Sequence, residues 1–91
     1  MPCYRVIVRG KVQGVGYRAF AKAQADSLSL AGWCRNLPVG HVEITVKGAE
    51  SEMAKFITAL KKGPSKARVN VVSVEPAKDC DEYTKFEIKH K

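Results

Sequence analysis

A chain of 91 residues makes one domain, 1–91, with a single core, since folding at this size buries roughly 60 to 68% of the unfolded surface. Hydrophobic residues at 45% and charged ones at 27% exclude intrinsic disorder, and no apolar run nears the ~20 residues of a membrane span. The net charge of +7 suggests an anionic partner, but the basic residues are dispersed, so the charge fits phosphate, nucleic acid or a merely solvated surface.

Residues 3–9, CYRVIVR, are β-branched and aromatic with Tyr4, Val6 and Val8 on one face, which predicts a first strand. After a glycine-rich segment, Ala21, Ala25 and Leu28 recur at i, i+4 and i+7, so a helix runs from about Tyr17 to Leu28. AGWCRNL and HVEITVK, joined by Pro38-Val39-Gly40-His41, form a hairpin in which Val42, Ile44 and Val46 alternate with Glu43, Thr45 and Lys47. A second helix spans about Ser51 to Lys62, its buried stripe Met53, Phe56, Ile57 and Leu60, its stop Gly63-Pro64, and its end complemented by Lys61 and Lys62. Residues 67–75 are a fourth strand and residues 83–88 a short fifth one.

The order β-α-β-β-α-β predicts an α+β fold: a ferredoxin-like βαββαβ sandwich, an antiparallel sheet of four to five strands with two helices on one face. In such a crossover the first two strands run parallel with another strand between them, so their carboxyl ends share a rim. The segment after Arg9 therefore lies near Arg35 to Leu37.

GKVQGVGYR, residues 10–18, joins the first strand to the first helix. Backbone N–H groups in such a loop can form an anion-binding nest, to which the helix adds the partial positive charge of its amino end. Gly14 and Gly16 permit the positive φ values this needs, and the planar fork of Arg18 could grip two phosphoryl oxygens. Turn punctuation and a solvated arginine remain the plainer alternative at this point. Two look-alikes fail. Gly14-Val-Gly16-Tyr-Arg-Ala19 fits a dinucleotide fingerprint, but no acid stands about 20 residues downstream and no parallel sheet follows. Cys3 to Arg9 has the C-x5-R spacing of cysteine phosphatases, but strand formers hold its ends ~20 Å apart.

With GKVQGVGYR and GWCRNLP both in view, the sequence resembles the acylphosphatase family. The matching residues are Gly10, Val12, Gln13, Gly14, Val15, Tyr17 and Arg18, then Gly32, Trp33 and Asn36. The likeness spans the whole chain. It implies hydrolysis of small acyl phosphates to carboxylate and inorganic phosphate, the phosphoryl group being bound by the backbone of Gln13, Gly14, Val15, Gly16, Tyr17 and Arg18 and by the Arg18 guanidinium, with Asn36 orienting the attacking water. Leu28-Ser29-Leu30 departs from a frequent glycine at the helix end, and Val39-Gly40 from a commoner turn. The chemistry agrees: a carboxylate leaves without protonation and a loose phosphoryl transition state asks little of the nucleophile, so charge stabilisation plus a placed water suffices without cofactor or metal.

Further expectations complete this reading. Cys3, Cys34 and Cys80, odd in number and far apart, are read as reduced thiols, and His41, His90, Trp33, Tyr17 and Phe20 as structural. Met-Pro-Cys-Tyr-Arg lacks the apolar core of a signal peptide, which points to the cytoplasm. The expected partner is the acyl phosphate alone, bound by a monomer, with no nucleic acid and no membrane. The rivals are an RNA-binding ferredoxin-like module, which would want exposed aromatics that HVEITVK lacks, and a phosphate-binding or carbamoyl-transfer module without this turnover.

Overall fold

The structure, a computed structural model, describes residues 1–78 and 80–90. Seven elements follow in chain order: β1 (Cys3–Lys11), α1 (Tyr17–Ser27), β2 (Ala31–Asn36), β3 (Val42–Lys47), α2 (Glu50–Lys62), β4 (Arg68–Pro76) and β5 (Phe86–Lys89). The strands form one sheet in the order β4-β1-β3-β2-β5. Period-two alternation drives Val6 and Val8 of β1, Cys34 of β2, and Val42, Ile44 and Val46 of β3 into the core, all fully buried. Against them lie Ala21 and Ala25 of α1 and Met53, Phe56 and Leu60 of α2. The two alanines let α1 approach the sheet closely, and the bulk is supplied by Phe56, edge-on to Phe86 at 6.1 Å.

Two expectations need correction. The sheet is mixed: β5 pairs with β2 in parallel, Gly32 opposite Phe86 and Arg35 opposite Lys89. The cause is the crossing from one edge to the other, for β4 ends where β1 begins, Pro76 opposite Tyr4, and the chain re-enters at the start of β2 instead of turning back as a hairpin. Strands β1, β2 and β5 therefore all deliver their carboxyl ends to one rim.

The second correction concerns the thiols. Cys3 and Cys80 are joined as a disulfide, their Cα atoms 6.4 Å apart across a sequence separation of 77. The start of β1 and the segment after β4 are neighbours, as the bond from Ala77 N–H to the Cys3 carbonyl (2.9 Å) shows, and no spacing rule reveals a pairing made by sheet register. Cys34 stays a free, buried thiol.

Strand alternation turns Glu43 away from the core, yet it is only 4% exposed, because Arg5 Nε (2.6 Å) and Arg35 Nε (2.7 Å) close over its two carboxylate oxygens. Burial pushes this carboxyl up and the two guanidinium hydrogen bonds more than offset it, leaving its pKa below the ordinary value.

The departure at Leu28-Ser29-Leu30 has a structural answer. Ser29 takes a left-handed φ of 58°, and the Ser29 and Leu30 N–H groups bond the Asp26 (3.2 Å) and Ala25 (2.9 Å) carbonyls. That is a Schellman ending with serine where glycine is usual.

Candidate active site

β1 brings the chain to the rim with a register shift at Arg9/Gly10, and buried Val12 anchors the start of the loop that follows. Gly14 and Gly16 adopt φ of 73° and 77°, while nothing lies within 4 Å of where a Cβ would stand on either. Glycine is thus required there by backbone conformation, and the space beyond it is open. Gly16 is the N-cap of α1, which has no side-chain cap and no acid in its first turn. The first-turn amides of a helix lack intrahelical acceptors, so this end presents uncompensated N–H donors and a positive dipole end.

Tyr17 fixes the helix start. Its ring is buried and its hydroxyl donates to the Leu60 carbonyl (2.8 Å), near the far end of α2; burial, with the Cys34 thiol adding to it, raises the phenol well above its ordinary pKa, so it remains a neutral donor. Gln13 fixes the other side. Its Nε2 donates to the Leu37 and His41 carbonyls, both at 2.8 Å, which ties the loop to the β2–β3 turn. Val15 packs against the core.

Arg18 is partly exposed, and its Nη1 lies 3.3 Å from the Lys89 carbonyl and 3.4 Å from His90 Nδ1. Among the described residues it makes no ion pair, unlike Arg5 and Arg35. Asn36 closes β2 opposite Val42. Among the described residues its Oδ1 is the one buried side-chain oxygen or nitrogen without a hydrogen-bond partner within the chain.

Gly14, Gly16, Tyr17, Arg18 and Asn36 border one cleft of about 220 Å³. Gln13 and Val15 do not line it; their side chains brace the loop from behind. Cys34 sits beneath, its Sγ donating to the Arg18 carbonyl at 3.8 Å, with burial pushing the thiol up to about 11 against the smaller opposing pull of Arg18 and Lys22. It is a packing residue with no thiolate to offer. Trp33 lies on the other sheet face, its Nε1 donating to Tyr83 (3.0 Å) and its ring flanked by Arg35 and Lys89, in agreement with the structural role expected for it.

Sequence reasoning missed Ile88 and His90, which also line the cleft, His90 beside Arg18. The rim argument applied to β1 and β2 would have found them had β5 been recognised as parallel to β2.

The geometry amounts to a small electropositive cleft with a bare helix end, one forked cation and the Asn36 residue in its wall. Comparisons with known proteins bear on its use. The model of the acylphosphatase family matches residues 4–88. An acylphosphatase of Bacillus licheniformis is 44% identical over 87 residues, covering 96% of this chain and 97% of that protein. The solved acylphosphatase of Bacillus subtilis superposes with a TM-score of 0.94 at 39% identity, over 99% of this chain and 100% of that one. One from Coxiella burnetii gives 0.90 at 34% identity, over 97% and 92%.

Proposed function

Because the chain belongs to the acylphosphatase family and hydrolyses acyl phosphates, we propose that the phosphoryl group sits at the amino end of α1, held by the 13–18 backbone and by the Arg18 fork. The negative oxygens meet first-turn N–H groups and a guanidinium that no carboxylate neutralises among the described residues, so charge on the transferring group is stabilised as it spreads. The Asn36 amide hydrogen-bonds the attacking water and directs its lone pair to phosphorus. The water oxygen bonds phosphorus, the bond from phosphorus to the acyl oxygen breaks, and the water's proton goes to the phosphate formed. The carboxylate departs unprotonated.

The observation that carries this reading is the convergence of Arg18, Asn36 and the uncapped helix end on one cleft. Its test is benzoyl phosphate turnover. Inorganic phosphate is expected to inhibit competitively, EDTA and thiol reagents to have no effect, and Arg18→Ala to cost on the order of 10³ in kcat/KM. A variant as fast as wild type would refute the assignment.

The monomeric state, the lack of nucleic-acid and membrane partners, and the cytoplasmic location belong to the same proposal. Among the described residues no helix is long and apolar enough to cross a membrane. A cytoplasmic location requires that the Cys3–Cys80 pair be kept reduced there, since disulfides persist chiefly in oxidising compartments. Cell fractionation decides that point, and sedimentation the oligomeric state.

A further inference from the structure

A second cleft, of about 590 Å³, adjoins the one just described and is bordered by Arg35, Leu37 and Pro38. Asn36 and His90 line both. A phosphoryl group on the Arg18 side can therefore direct its organic substituent past Asn36 and His90 into the neighbouring cleft. We propose that this second cleft is the acyl subsite, and that Leu37 and Pro38 make it select compact apolar or aromatic acyl groups over acyl groups bearing a second negative charge. The inference rests on the phosphoryl site proposed above and adds the half of the substrate that a phosphate loop leaves unspecified.

Three observations carry it. The chemistry of the cleft is apolar where it is free: Arg35 Nε is bonded to Glu43, a carboxylate it shares with Arg5, and the guanidinium lies over Trp33 at 5.3 Å, so its charge is already engaged. A second carboxylate on the substrate would lose water there without gaining an unpaired cation. The subsite is also preorganised. Gln13 holds the Leu37 carbonyl to the phosphate loop, Leu37 N–H donates to the His41 carbonyl (2.8 Å), and Gly40 N–H returns to the Leu37 carbonyl (3.1 Å). Pro38 adds a fixed φ, so the shelf keeps its distance from the reacting phosphorus. Finally the size is adequate, falling within the 300–1,000 Å³ of ordinary small-molecule sites.

The experiment compares kcat/KM for benzoyl, acetyl and succinyl phosphate in the wild type, in Leu37→Ser and in Pro38→Ser, with the inhibition constant of inorganic phosphate measured for each. Wild type is expected to prefer benzoyl to succinyl phosphate. Each variant is expected to lower the benzoyl-to-acetyl ratio, Leu37→Ser by about tenfold, the scale of a lost apolar contact, with phosphate inhibition held within about twofold. Retained phosphate inhibition certifies that a variant is folded with its phosphoryl site intact. A wild type that prefers succinyl phosphate, or a ratio unchanged in both variants, overturns the subsite. Failure of phosphate to inhibit the wild type would instead strike the phosphoryl site itself.

Discussion

The two helices begin in opposite ways. At α2 the N-cap Ala49 is followed by Glu50 and Glu52 in the first turn, with Lys61 and Lys62 in the last, so both ends of the dipole meet complementary charge. At α1 the cap is Gly16, the equivalent third position is Ala19 instead of an acid, and the second holds Arg18, a cation at the wrong end for stability. Neither N-cap supplies a side-chain hydrogen bond. One helix is finished by its own side chains; the other is left for an anion to finish. The same contrast separates the arginines, since Arg5 and Arg35 share Glu43 while Arg18 has no acid among the described residues.

The most severe way to break the comparison is Arg18→Lys, which keeps the charge at the α1 end and removes the fork. A loss of roughly 10³ in kcat/KM is expected with benzoyl phosphate, and a fall under tenfold would mean that charge alone suffices. Asn36→Ala comes next, with kcat lowered on the order of 10² and the inhibition constant of phosphate little changed. Because that variant also deletes the unpaired buried oxygen, its thermal midpoint should not drop. A lower midpoint would show that Asn36 has a structural partner.

Ala19→Glu converts the α1 end into a copy of α2. The added carboxylate should stabilise the helix by about 0.3–1 kcal/mol and weaken phosphate inhibition about tenfold, two opposite changes from one substitution, read by calorimetry and by kinetics. The smallest effect is expected from Glu50→Gln with Glu52→Gln, which should lower stability by about 0.3–1 kcal/mol and leave turnover alone. Altered turnover there would mean that α2 shapes the site electrostatically.

The elements and the loop could be read from sequence because each carries its own local signal. Periodicity marks β1, β3 and the two helices within one or two residues, and the paired glycines of GKVQGVGYR announce left-handed backbone before a helix. What could not be read depends on long-range register. Nothing in PAKDCDEYTKFEI says that its strand will lie parallel to β2 and carry His90 to Arg18. Alternation assigns Glu43 to solvent, and only the sheet order, with β1 and β2 flanking β3, brings two arginines over it. Cys3 and Cys80 likewise meet through β1 and β4, which no count of cysteines anticipates.

Tyr17 belongs to the loop by position and to α2 by its bond to Leu60. Mooring the first residue of one helix to the last turns of the other makes heat inactivation a property of the second helix as much as of the site. Fraying at the end of α2 would let the anchor drift while the sheet still stands, so activity should fade at temperatures where the far-ultraviolet circular dichroism of the protein has yet to change.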